Sequence, residues 1–210
     1  MTHDSRQAED DLAFMRALVA DRGSDTHSFG IIYMSAGVLY GLQCLLNGAL
    51  LGGAIPTSTP AWILIGVLPT VVFLGVVFYE RWRTRGTDAG AGTTSRALKA
   101  AFVGGAIANM IVALIIGWVA YERRDWSIWF LFPVVVCAFQ GAIWFTVATL
   151  RRRAWQGATA ICWLASAVAL GLLIDYTAAY LVTLGIAFFA CMALPGYIMV
   201  RSPAQTQATA

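Results

Sequence analysis

Few side chains in this sequence could do chemistry inside its long apolar runs, and their types narrow what the chain can be. The two histidines, His3 and His27, both precede the first apolar run. No imidazole is therefore at hand within the runs to ligate haem, a chlorin or a metal. The single lysine, Lys99, sits at the entrance of the third run, too near its end for a retinal Schiff base deep in a bundle. Glu80, Glu122, Asp125 and Asp175 all fall at the ends of runs or between them. Proton pumps and ion-coupled carriers place an ionisable group near mid-depth, and here there is none. Cys44, Cys137, Cys162 and Cys191 each lie inside an apolar run without CxxC or metal-type spacing. They read as small apolar packing residues, and redox chemistry is not expected. The segment GTDAGAGTTS (86–95) resembles a phosphate cradle, but it lacks the GK[ST] ending and follows no strand, so it reads as a flexible linker. With no nucleophile–base pair either, the expectation is a non-enzymatic protein with no catalytic residue, no metal and no cofactor.

What remains is polar but uncharged. In the first run Gly37, Gly41, Gly48 and Gly52 form two GxxxG pairs in phase, within a stripe of about 60° at roughly 100° per residue. Tyr33, Tyr40, Cys44 and Asn47 lie beside that stripe, and Gln43 further round. Such glycines admit a neighbouring backbone; a polar cavity or a dimer interface along this face is the functional alternative. In the fourth run Trp129, Pro133, Cys137, Gln140 and Trp144 share one face at helical spacing. Pro133 cannot donate to the carbonyl of Trp129, so a kink with a free acceptor is expected there. Gln140, and Asn109 in the third run, carry amides that hydrocarbon cannot satisfy, so both must face protein. Tyr40, Gln43, Asn47, Asn109, Gln140 and Trp144 therefore form either a set of interhelical hydrogen bonds, worth about 0.6 kcal/mol each in membranes, or the lining of a pocket for an uncharged or amphiphilic ligand.

The elements that position these residues follow from composition. Of the 210 residues 59% are hydrophobic and only 12% charged, about half the charge of a typical soluble domain. Mean hydropathy is +0.71. Six segments reach the roughly 20 apolar residues that a membrane crossing needs: about 29–53, 61–79, 98–121, 127–150, 154–174 and 177–200. The alternation of a β-barrel is absent. The spacing thus predicts an all-α polytopic bundle of six transmembrane helices arranged as three hairpins, with helical hairpins as the building unit. Residues 1–28 form a polar N-terminal segment without the pattern of a signal peptide. Residues 29–200 form the membrane domain, and 201–210 a tail.

Within the N-terminal segment Ala8, Leu12, Met15, Leu18 and Val19 keep helical spacing, after acidic Glu9, Asp10 and Asp11 and before Gly23. A short amphipathic helix over about 8–22 is expected. It would either cover the inner end of the bundle or dock a partner.

With the N-terminus inside, 12 of the 14 basic residues fall on the cytoplasmic side, leaving Arg123 and Arg124 outside. The positive-inside rule then places both termini in the cytoplasm. Trp62, Trp126, Trp129 and Tyr180 mark the outer interface, and Tyr79, Trp82, Trp155 and Tyr197 the inner one. The basic surplus of +3 is explained by topology, which argues against nucleic acid as a partner. Each even-numbered span holds one proline, Pro69, Pro133 and Pro195, and ends in arginine. A threefold repeat could produce this pattern, yet the prolines sit at three different depths, and topology alone yields aromatic starts and arginine ends.

The runs FMRALVADRG, SFGIIYMSAGVLYGLQCLLNG, FQGAIW and ALPGYIMVR resemble a family of small bacterial six-helix membrane proteins of unknown function. That resemblance implies the architecture and a bacterial inner-membrane location, and no catalytic residue. Two functions are expected on these grounds. One is an interaction protein of the bilayer: an accessory, assembly or regulatory subunit that packs against a membrane-protein partner or forms a homo-oligomer. The other is a carrier or sensor of a small neutral or lipophilic molecule bound between the first, third and fourth spans.

Overall fold

The computed structural model describes residues 23–54, 58–85 and 93–201. The expected amphipathic helix over 8–22, the linker residues 86–92 and the tail over 202–210 lie outside them. The chain runs α1 (Gly23–Leu51), α2 (Thr59–Arg83), α3 (Thr93–Arg123), a 3-10 turn (Trp126–Phe130), α4 (Leu131–Arg151), α5 (Ala154–Leu172) and α6 (Thr177–Phe188). Residues 93–95, expected to end the linker, open α3 instead. A π segment (Phe189–Ala193) carries α6 into α7 (Leu194–Arg201), completing the sixth span. All six spans are long and apolar enough to cross a membrane, so the protein is an all-α, multi-pass helical bundle.

Local chemistry sets the ends. Ser58 caps α2 by accepting the Ala61 N–H, and Pro60 occupies the first turn, where a missing donor costs nothing. The carboxylate of Asp125 accepts from the backbone N–H and hydroxyl of Ser127, at 3.0 and 2.6 Å, to start the 3-10 turn. These bonds hold the exposed Asp125 carboxyl below the usual carboxylate range. Arg152, with φ at 51°, closes α4 in the left-handed region, its N–H bonded to Ala148 O.

The three prolines are each accommodated differently. Pro133 is where a kink with a free Trp129 carbonyl is expected. It falls in the first turn of α4, because the 3-10 turn precedes it. The carbonyl of Phe130, where the 3-10 turn meets α4, accepts from the Tyr180 hydroxyl at 2.6 Å. Pro69 lies inside α2, and the carbonyl three residues before it, on Gly66, accepts from Gln43 Nε2 at 3.2 Å. Pro195 follows the π segment, where the Leu194 N–H reaches back five residues to Phe189 O. Side chains of other helices thus bond carbonyls near Pro69 and Pro133, and a local change of register precedes Pro195.

Tight packing does not follow the hairpins. The most extensive contacts join α4 to α5 and α1 to the whole sixth span; contact between α5 and the sixth span is lighter. The glycine stripe of α1 makes the second pairing possible. A Cβ on Gly37 would collide with Ala193 and stand 2.7 Å from Met192 Cβ, and one on Gly41 would stand 2.9 Å from the Phe189 ring. From the other side, a Cβ on Gly196 would lie 2.5 Å from Met34 N. Gly48 is looser, 3.3 Å from Val182, and Gly52 meets only carbonyls of its own turn. The stripe is therefore occupied within the chain from Gly37 to Gly48, and Gly52 is outside it. Helices α2 and α3 flank this core. The first packs chiefly on α1, the second chiefly on α4 and its 3-10 turn, and no residue in their most apolar stretches is fully buried.

Candidate functional site

The interior is organised around one hydroxyl. Trp144 of α4 and Trp163 of α5 have buried indoles whose N–H groups need acceptors. Both donate to the Tyr33 hydroxyl oxygen of α1, at 2.7 and 3.2 Å. Phe29 stacks on Tyr33, and Phe102 of α3 packs against Phe29, Tyr33 and Trp144. Trp155 leans on Trp144, and Phe188 meets Trp163 edge-on. This cage ties α1, α3, α4, α5 and the sixth span together, although α1 and α4 share little backbone contact. Tyr33 stood beside the glycine stripe in the sequence without an assigned role, and Trp163 and Phe102 had none. A signal existed: Trp144 and Trp163 lie well inside their spans, away from the interfaces where an aromatic belt sits.

The uncharged polar residues expected to cluster do not form one network. Tyr40 packs its ring against Phe73 of α2 and Phe188. Gln43 Nε2 donates to the Gly66 carbonyl of α2. Trp144 belongs to the Tyr33 cage. Asn47 Oδ1, Asn109 Oδ1 and Gln140 Oε1 are enclosed with no hydrogen-bond partner. Asn109 lies on α3 and Gln140 on α4, two helices in contact, and Asn47 stands near the far end of α1.

The reading of all four cysteines as packing residues needs correction. Cys162 of α5 and Cys191 of the π segment are disulfide-bonded, with Cα atoms 6.3 Å apart. Only Cys44 and Cys137 are free thiols. A spacing of 29 residues carries no local motif, so only the packing of two helices could reveal the pair. Counting alkylated thiols by intact mass should find two before reduction and four after it.

Two further polar groups are buried: Glu80, which the sequence places only at the end of a run, and Gln156, to which it assigns no role. Glu80, in the last turn of α2, is 3% exposed and paired with Arg83 at 3.5 Å. Gln156, near the start of α5, is 2% exposed, and its Oε1 lacks a partner. Both sit near the arginine-rich end, where Arg151–Arg153 and Arg201 also lie. Among the described residues no group of three or more His, Cys, Asp or Glu side chains gathers as if around a metal. The chain matches no protein-family model, no curated protein and no solved structure, so the geometry of the bundle carries the functional reading.

Proposed function

We propose that this chain is a non-enzymatic interaction protein of the bacterial inner membrane, with both termini cytoplasmic, that packs against another membrane protein as an accessory, assembly or regulatory subunit. One observation supports it above the rest: α2 packs chiefly on α1 and α3 chiefly on α4 and its 3-10 turn, and no residue in the most apolar stretch of either is fully buried. Both helices leave most of their circumference free for a partner. A different membrane protein is favoured over a second copy, because the glycines best suited to self-association are spent on the sixth span. The arginine distribution supports the orientation.

Purification in mild detergent at native expression, followed by mass spectrometry, tests the reading. A stoichiometric membrane-protein partner is expected, with a homo-oligomer as the lesser outcome. A monodisperse monomer without a partner would sink it.

A second reading, a carrier or sensor of a small neutral or lipophilic molecule bound between the first, third and fourth spans, is favoured by the carboxamide oxygens of Asn109 and Gln140, enclosed yet unpartnered. An unmade hydrogen bond at such an atom costs about 1–3 kcal/mol, and a ligand with a donor would recover it.

A further inference from the structure

The antiparallel contact between α3 and α4 has a defined register. A Cβ on Gly105 would meet Ile143 Cδ1 at 2.5 Å, and one on Gly117 would meet the Trp129 ring at 3.3 Å. Asn109 is one turn beyond Gly105, and Gln140 one turn before Ile143, so the two amides stand at the same level on facing helix surfaces. Asn109 lies about 14 Å along the Ala100–Arg123 span at 1.5 Å per residue, close to its middle. Both side chains are half-buried, yet the oxygen of each is enclosed and unpaired. Neither oxygen is bonded to the amide at its level on the other helix, and each side chain keeps a part that is reachable from outside the interface. Because α3 packs chiefly on α4 and its 3-10 turn, that access opens sideways, toward the bilayer. Phe102 and Trp144, two turns or less from the pair, line the adjoining interior with rings.

We propose that Asn109 and Gln140 form a lateral notch at mid-depth that binds an uncharged hydroxyl compound dissolved in the bilayer, a phenol or a long-chain alcohol. This rests on the carrier-or-sensor reading and narrows it. Two enclosed acceptor oxygens select a donor, and the sequence places no cationic side chain at that depth of either span to receive an anionic head. A ketone or ether of the same shape offers no hydrogen to either amide. Discrimination between ligand with and without the donor is strong where the site's polar groups are otherwise left unmade.

The probe pair is 4-octylphenol and its methyl ether, 4-octylanisole, which match in shape and differ in the donor. Thermal unfolding of the full chain in nanodiscs should shift by roughly 5 °C with saturating octylphenol and by less than about 1 °C with octylanisole. In N109L/Q140L the phenol response should vanish, while the ligand-free midpoint stays level or rises, because two unpaired acceptors have been removed.

Equal stabilisation by both probes would overturn the notch but leave a lipophile-binding protein. No response to either would overturn the notch and the reading beneath it together. A large fall in the ligand-free midpoint of N109L/Q140L would mean that the amides bond each other, which also refutes the notch. Should that variant not fold, the comparison of the two probes on the unaltered chain decides alone.

Discussion

Glycines in two parts of this molecule have opposite surroundings. In the core, a Cβ on Gly37, Gly185, Gly196 or Gly141 would fall within 3 Å of another helix. On the flanking helices, Gly66 and Gly75 of α2 and Gly104 of α3 have nothing within 4 Å. Core glycine is there for close approach, since association in lipid depends on packing rather than on a hydrophobic drive. Gly105 and Gly117 of α3 face Ile143 and Trp129 of the next span, but Gly66, Gly75 and Gly104 are not explained by any contact among the described residues. The core and the flanks therefore answer to different constraints, one to internal fit and the other to whatever lies outside.

The largest effect expected from testing this contrast is at the α1–sixth span seam. Gly37→Val should cost about 3 kcal/mol or more, because Ala193 and Phe188 present backbone at that point and cannot give way as a flexible side chain would. Loss of a monodisperse peak in detergent, or a collapse of the melting midpoint, would register it. Full tolerance would refute the seam.

Tyr33→Phe should come next. It leaves the indole N–H groups of Trp144 and Trp163 without their acceptor, at a cost of roughly 2–4 kcal/mol for two buried donors. Tyrosine and phenylalanine differ by one hydroxyl, so packing changes little. Tryptophan emission should report the change along with stability, and an unchanged midpoint would remove the cage from the account of the core.

On the flanks the sign should reverse. Gly66→Ala and Gly104→Ala should leave stability level or raise it by up to about 1 kcal/mol through helix propensity. If they also weaken recovery of a partner, the flanks are the contact surface; if they destabilise the isolated protein, the contrast between core and flank fails.

The smallest effect belongs to Asp125, which is fully exposed. Its carboxyl is held low by Ser127, so its contribution to the 3-10 turn is complete above the ordinary aspartate value. That contribution is lost only as pH falls through the depressed folded value. Titration of the Asp125 carboxyl by NMR should give a midpoint below the roughly 3.9 of an unstructured aspartate; an ordinary midpoint would show that the cap is not formed.

Much of the architecture was legible from the sequence, and the reason is physical. A bilayer demands about 20 apolar residues per crossing and tolerates only helices or closed barrels, so the six spans could be delimited to within a few residues. Exceptions are instructive: α1 begins at Gly23 rather than near 29, because a polar stretch can extend a helix beyond the hydrocarbon. The polar residues were harder to assign. Gln43 and Tyr180 were bound to be satisfied somewhere, but their partners are the backbone carbonyls of Gly66 and Phe130, and no local pattern joins residues 23 or 50 positions apart.

The sequence by itself determined that this is a helical membrane protein with no charge or imidazole at mid-depth in its spans. Those are properties of residue type and run length, which need no partner to be defined. Only the tertiary structure decided that the α1 glycines serve the sixth span, that Cys162 finds Cys191, and that Tyr33 holds two tryptophans. It also left the carboxamide oxygens of Asn109 and Gln140 enclosed without a partner. Each of these depends on which helix faces which and in what register. Lipid, being as apolar as the side chains, leaves that choice to packing and to a few hydrogen bonds.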